Sequence, residues 1–273
     1  MIDLNFKYKA AITYLNNEAP FNPDIAIVLG SGLGNFADST KKIKTIQTSE
    51  IPNYPASSVQ GHKGLIHFSY IDNKKIIIFQ GRLHFYEGYN LSDCVLPVLL
   101  SKKVGCNKII FTNAAGGVNK SFNPGDLMLV ESFNSMNIKV ELVKLIGISS
   151  VEAKKSFLNC PSVKMNQIIK QAAVENQIRL REGVYFYSKG PNYETPAEIK
   201  MIEKFGGDSA GMSTVHEAVF ASFINMEVAM ISCITNMAAG ISPAKLSHTE
   251  VTETANKTAE KFSILLKSAI SKF

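Results

Sequence analysis

Ile109-Ile110-Phe111-Thr112-Asn113-Ala114-Ala115-Gly116-Gly117 sets a short apolar run directly against a tail of small or polar residues. A continuous run of this length suits a buried strand. Its tail suits the carboxyl end of that strand, where ligands gather in layered α/β sheets. The same pattern recurs. Residues 25–29 run into Gly30-Ser31-Gly32, 76–79 into Gln80-Gly81-Arg82, 184–187 into Ser188-Lys189-Gly190 and 228–235 into Asn236, and 127–130 is a further strand of the kind. Helical patterns lie between them. Thr195-Pro196-Ala197-Glu198 predicts an N-cap, a Pro at the first helical position and a capping-box Glu, with a stop at Gly206-Gly207. Ser247-His248-Thr249-Glu250 predicts a second box, ahead of an apolar stripe at Val251, Ala255, Ala259, Phe262 and Leu266. Strands alternating with helices, undivided by repeat or linker, imply one α/β domain over residues 1–273, a sheet layered between helices.

Composition excludes several classes of function. Of 273 residues, 45% are hydrophobic and 19% charged, below the roughly 25% charged of an average soluble chain, which argues against disorder. The charge balance, 29 − 23 = +6, is spread over pairs such as Lys41-Lys42, Lys102-Lys103 and Lys154-Lys155, and forms no nucleic-acid arm. No apolar stretch nears the roughly 18 residues of a membrane span. Met1-Ile2-Asp3-Leu4 lacks a signal-like apolar core, and Cys94, Cys106, Cys160 and Cys233 form no CxxC pair. The expectation is a cytoplasmic protein without a metal site, partnered by neither nucleic acid nor membrane.

Gly30-Ser31-Gly32-Leu33-Gly34 follows a strand but lacks the third Gly of a dinucleotide loop, because position 35 is Asn. What remains is a tight turn whose N–H groups and Ser31 hydroxyl can hold one anion; an ordinary strand-end turn is the equal alternative. Gly81-Arg82-Leu83-His84-Phe85-Tyr86-Glu87-Gly88-Tyr89 is more telling. If extended, it projects Arg82, His84 and Tyr86 from one face, a phosphate fork, a second donor and a hydroxyl within reach of a sugar. Tyr193 and Glu194 precede the capped helix; the cap roles fall to Thr195 and Glu198, which leaves Glu194 to face a ligand. Met212-Ser213-Thr214 precedes an apolar helix over residues 215–223, so Ser213 is either its N-cap or a phosphate ligand at that helix end. His62, in a Gly-flanked loop, is by itself a weak pointer, and His248, on a core-facing stripe, is more commonly a core histidine bonded to backbone, the alternative being a neutral ring that hydrogen-bonds a ligand hydroxyl.

In order, these segments resemble the trimeric purine nucleoside phosphorylase family. The match runs through Gly30-Ser31-Gly32-Leu33-Gly34, Gly61-His62, residues 81–89, Thr112-Asn113-Ala114-Ala115-Gly116-Gly117 and Gly190-Pro191-Asn192-Tyr193-Glu194-Thr195. It continues through Gly211-Met212-Ser213-Thr214, Ile234-Thr235-Asn236 and His248-Thr249-Glu250-Val251. The resemblance implies a mixed sheet flanked by helices and phosphorolysis of a purine nucleoside to free base and (deoxy)ribose 1-phosphate. Phosphate is then a co-substrate and no cofactor is needed. It places Ser31, His62, Arg82, His84, the Ala114 backbone and Ser213 on the phosphate, and Tyr86, Met212 and His248 on the ribose, His248 at the 5′-hydroxyl. Tyr193 stacks on the base, and Glu194 and Asn236 hydrogen-bond it. Catalysis falls to Asn236, Glu194 and His84. The resemblance also implies a homotrimer whose neighbouring subunit donates an aromatic ring to the ribose. Here Glu131-Ser132-Phe133-Asn134 replaces the usual run before that loop, residues 140–163 match poorly, and Phe157 is the candidate ring.

Asn236 and Glu194 together suit a 6-oxopurine, which offers acceptors at N7 and O6 and a donor at N1, so inosine and guanosine are the expected substrates and adenosine a poor one. Three alternatives stand beside this reading. A methylthioadenosine phosphorylase would carry Asp at position 236 and lack His248. A non-catalytic nucleoside-binding protein would need no phosphate groups. A dinucleotide-dependent oxidoreductase would need the missing third Gly.

Overall fold

The computed structural model describes residues 3–59, 61–147, 151–242 and 248–273, with the side chains of residues 152 and 248–250 outside the description. Its strands are β1 (Ile25–Leu29), β2 (Lys41–Gln47), β3 (Leu65–Ile71), β4 (Lys74–Gln80), β5 (Lys108–Gly117), β6 (Leu127–Asn134), β7 (Leu180–Tyr187), β8 (Ser209–Gly211) and β9 (Glu227–Met237). All nine join one mixed sheet in the order β2-β3-β4-β1-β5-β8-β7-β6-β9. Its two faces are dry. Ala26 and Val28 of β1 enter one apolar cluster, with the helices Leu96–Lys103 and Val215–Phe223. Ile25, Ile27 and Leu29 enter the other, with the helices Val163–Glu175 and His248–Lys272. This two-sided burial explains why β1 reads as an unbroken apolar run.

β5 is the pivot. One edge pairs with β9 along the strand's whole length, and β9 pairs onward to β6, β6 to β7, β7 to β8 and β8 back to β5, so that five strands close a ring. The other edge is shared between two neighbours. β1 pairs with it as far as Phe111, and β8 takes over only at Gly116. Between these points, Thr112 to Ala115 have no neighbouring strand on that side. The sheet forks there, as at the strand-order switch where ligands settle in open α/β sheets.

Several expectations are revised. The tail Asn113 to Gly117 is not a turn after the strand but its continuation, because β9 runs alongside with one register slip between Ala115 and Gly116. Three strands were absent from the sequence reading. β2 is a Lys-rich edge strand with only Ile46 buried, a pattern that guards exposed edges. In β3, His67 and Ser69 interrupt the apolar run yet are buried, His67 satisfied by Thr45 Oγ1 at 2.8 Å and Gln80 Oε1 at 2.9 Å. β8 has three residues. The Thr195 capping box and the helix Pro196–Lys204 form as expected. The stripe on His248–Lys272 is buried at Val251, Ala255, Phe262 and Leu266, while Ala259 is half-buried.

Candidate active site

One cavity opens at the fork of β5, lined by Ser31, Arg82, His84, Tyr86, Asn113, Ala114, Ala115, Gly116, Tyr193, Glu194, Met212, Ser213, Thr235 and Asn236, with Val251 at its margin. Two of the ligand-site residues singled out from sequence are not among these. His62 lies just behind the lining, and the side chain of His248 lies outside the described residues. Val251, one turn on from His248, brings that helix to the cavity.

On the side of Ser31 and Arg82, the groups are arranged as donors. The Arg82 guanidinium is almost fully buried. Its Nη1 donates to the Thr112 carbonyl at 2.8 Å, Ser213 Oγ at 3.1 Å and Thr214 Oγ1 at 3.2 Å, while Nη2 has no protein partner. His62 Nδ1 lies 2.7 Å from the Arg82 backbone nitrogen and 2.9 Å from its carbonyl oxygen. Both contacts cannot be hydrogen bonds to one tautomer. The shorter and well-aimed N–H contact makes Nδ1 the acceptor and puts the hydrogen on Nε2, which faces Ser31 Oγ at 3.2 Å. Ser31 then has its own O–H to give to an anion. Burial, with His84 and Arg82 nearby, pushes the His62 pKa down to about 3, so the ring stays neutral and this relay is stable at neutral pH.

His84 is oriented by Glu87, whose Oε1 accepts the His84 backbone N–H at 2.7 Å and faces Nδ1 at 3.2 Å. Burial would raise the Glu87 pKa, but hydrogen bonds from the His84 ring, the Ser58 and His84 backbone N–H groups and the Ser58 hydroxyl hold it down to about 2. The carboxylate therefore fixes a hydrogen on His84 Nδ1 and leaves Nε2 for the cavity. Residues 85–87 form a short 3-10 turn rather than continuing extended. Tyr86 nevertheless stays with its expected neighbour, its ring stacked on His84 at 4.8 Å between centroids. Gly190 makes this corner possible: at φ +69°, an added Cβ would sit 2.5 Å from Met212 Sδ and 2.9 Å from Tyr86 Cδ1.

Ser213 is not the N-cap of the helix Val215–Phe223; Thr214 is. Thr214 has φ 73° and ψ −48°, and the Val215 N–H reaches back to the Ser213 carbonyl at 2.8 Å, the geometry of a γ-turn. A β-branched residue at positive φ is strained. It is held by Asn113 Nδ2 and Arg82 Nη1, both donating to its hydroxyl, and by Glu217 Oε2, which accepts its backbone N–H at 3.1 Å. The turn frees the Ser213 hydroxyl to face Arg82.

The opposite wall is built for a hydrogen-bonding ring. Asn236 Oδ1 accepts the Thr235 hydroxyl at 2.9 Å, which fixes the amide so that Nδ2 is the donor; one of its hydrogens goes to the Met237 carbonyl at 3.2 Å and the other is left over. Glu194 Oε1 is a buried acceptor with no protein donor. Tyr193, 44% exposed, sits beside it as a flat apolar surface. Donors thus cluster on one side, and a matched donor and acceptor on the other.

A profile of the Phosphorylase superfamily matches residues 24–271. Purine nucleoside phosphorylase 1 of Geobacillus stearothermophilus is 41% identical over 264 residues, covering 95% of both chains, and that of Bacillus subtilis is 36% identical over 271 residues, covering 98% of both. The chain belongs to the purine nucleoside phosphorylase family. Among solved structures of purine nucleoside phosphorylases, that of Schistosoma mansoni in complex with inosine superposes with a TM-score of 0.89 at 30% identity, over 100% of this chain and 98% of the other. Its complex with adenosine gives 0.88 at 31%, over 98% and 97%. Most of the residues that the sequence reading named as phosphate or base ligands line this one cavity. What that reading missed are the supports: Thr112, Thr214 and Glu217 behind Arg82, Glu87 beside His84, and Thr235 behind Asn236. Glu87 and Glu217 each stand three residues after the group they cap, a capping-box spacing present in the sequence.

Phe157, the candidate donated ring, is half-buried against the core, with Lys139 Nζ 3.7 Å from the ring centroid.

Proposed function

We propose that this phosphorylase cleaves the C1′–N9 bond of purine nucleosides with inorganic phosphate, and that it prefers 6-oxopurines. Ser31, Arg82, His84, the Ala114 backbone and Ser213 receive phosphate, His62 acting through Ser31. Tyr86, Met212 and His248 receive the ribose, and Tyr193, Glu194 and Asn236 the base. As C1′–N9 breaks, its electron pair leaves with the purine and a phosphate oxygen closes on C1′. Phosphate held beneath the sugar supplies orientation. Asn236 Nδ2 donates to N7 or O6 as negative charge gathers there, and Glu194 accepts from N1–H. No step calls on a cofactor or metal.

The observation that carries this reading is the shared cavity, with Arg82 Nη2 unpartnered on one wall and Glu194 Oε1 unpartnered on the other. Incubation of inosine with and without phosphate tests it: hypoxanthine is expected only with phosphate. Equal release in both tubes would mean hydrolysis, and release in neither would mean a binding protein. Adenosine and methylthioadenosine in the same panel test base selectivity, which the adenosine-bound Schistosoma mansoni relative makes worth measuring.

The assembly proposed is a homotrimer. Met136, Val140, Val151 and Leu158 are between 58% and 83% exposed, an apolar surface in one stretch of chain that a subunit contact would cover. Light scattering on the purified protein checks the mass. A cytoplasmic location is supported by four buried cysteines, all of them free thiols. Among the described residues, no helix is long and apolar enough to cross a membrane.

A further inference from the structure

Glu217 carries a carboxyl group with no exposed surface, buried directly behind a group assigned to an anion; burial raises its pKa, and the adjacent Arg82 charge and the Thr214 N–H are what favour the ionised form. Its Oε2 lies 3.3 Å from Arg82 Nε, a charge contact rather than an aligned hydrogen bond. A guanidinium cannot shed its charge, and a buried charge left uncompensated is strongly destabilising. Arg82 therefore needs a counter-charge whenever no anion is bound. Its other contacts are a carbonyl and two hydroxyls, all on Nη1. Burial keeps His62 neutral and lowers the pKa of His84. Glu217 makes the only ion pair with Arg82 among the described residues.

We infer that Glu217 is the resident counter-ion of the phosphate site: it balances and aims Arg82 while no anion is bound, and bound phosphate takes over that balance. The inference rests on the phosphate reading of Arg82. Glu217 is built for the part. It stands in the first turn of the helix Val215–Phe223, where the helix dipole favours negative charge. Its Oε2 is shared between the Thr214 N–H and the Arg82 Nε edge, and Oε1 has no hydrogen-bond partner. Engaging Arg82 along Nε leaves Nη2 as the edge without a partner. The arrangement also limits affinity. A phosphate dianion reaching Arg82 meets a neutral pair instead of a bare cation, and the carboxylate behind it repels in a medium of low dielectric. Glu217 is a positioning residue in this scheme and touches no substrate.

Glu217→Gln keeps the shape and removes the charge. Melting temperatures measured with and without inorganic phosphate, together with KM for phosphate and for inosine, give the test. Without phosphate the variant is expected to melt several degrees below wild type. Added phosphate raises its melting temperature more than it raises that of wild type, and KM for phosphate falls at least threefold while KM for inosine stays unchanged. A phosphate-induced rise equal to or smaller than wild type, or a KM for phosphate that is unchanged or higher, would overturn the inference. If wild type shows no phosphate-induced rise, the phosphate assignment of Arg82 fails too, and that failure is recognised because it appears before any substitution. Should Glu217→Gln not fold, Arg82→Met combined with Glu217→Gln decides. A folded double variant without a phosphate response supports the counter-ion role, and an unfolded one overturns it.

Discussion

Replacing Asn236 by Asp changes one atom and reverses one hydrogen bond. Asn236 is 5% exposed and held at both ends, by the Thr235 hydroxyl on Oδ1 and the Met237 carbonyl on Nδ2. In Asn236→Asp, the Thr235 contact survives. The former Nδ2 position becomes an acceptor that faces the Met237 carbonyl oxygen at the original 3.2 Å and has nothing to donate to the purine. Loss of a donor aimed at charge developing in the transition state costs about 2.7–4 kcal/mol. At 1.36 kcal/mol per decade, that lowers kcat/KM for inosine by about 10²–10³-fold. Adenosine offers an amine at position 6, which an acceptor at 236 can meet, so its kcat/KM falls far less or rises. The assay is initial-rate phosphorolysis of both nucleosides at saturating phosphate, with wild type and variant side by side. An inosine loss below tenfold, or equal losses on the two nucleosides, would refute the role given to Nδ2.

Gly190→Ala forces a side chain to positive φ and into Met212 and Tyr86; the φ alone costs about 1–2 kcal/mol, and KM for nucleoside is expected to rise more than KM for phosphate. Thr214→Gly should be more stable than Thr214→Ala by about 1–3 kcal/mol, since both lose the hydroxyl and only Gly relieves the strained φ; chemical denaturation measures the difference. His62 is half-buried and His216 fully buried, and burial is the largest cause lowering both pKa values to about 3. Their unfolded forms take up protons near pH 6.5, so the stability they contribute is complete above that value and is lost as pH falls toward 3. His216→Phe should flatten the fall of melting temperature across that window, and an unchanged slope would count against it.

The fold was legible wherever burial on both faces left a continuous apolar run, as in β1 and β5, and wherever cap chemistry was local, as at Thr195. It was hidden where a strand's identity depends on a distant neighbour. β3 carries His67 and Ser69 inside the sheet because Thr45 and Gln80 come from other strands to satisfy the histidine, and nothing in residues 65–71 announces that. The site divides in the same way. Groups that would touch a ligand stood out because Arg, His, Tyr and Glu after a strand and a Gly have few structural excuses. Their supports did not, because Glu217 lies within an apolar helix and Thr235 within a strand. The surroundings of Phe157 were hidden for a related reason, since Lys139, which lies over its ring, stands eighteen positions earlier.

The branching of β5 has a kinetic consequence. Ser31, Arg82, Asn113, Glu194, Ser213 and Asn236 reach the pocket from segments spread over most of the chain, and the pairing of β5 with β9 joins Lys108 to Glu227. Contacts of such long sequence separation form late and slowly. A nascent chain still short of β9 lacks Asn236 and the strand that would close the ring, so the base wall of the pocket cannot mature before β9 has been made.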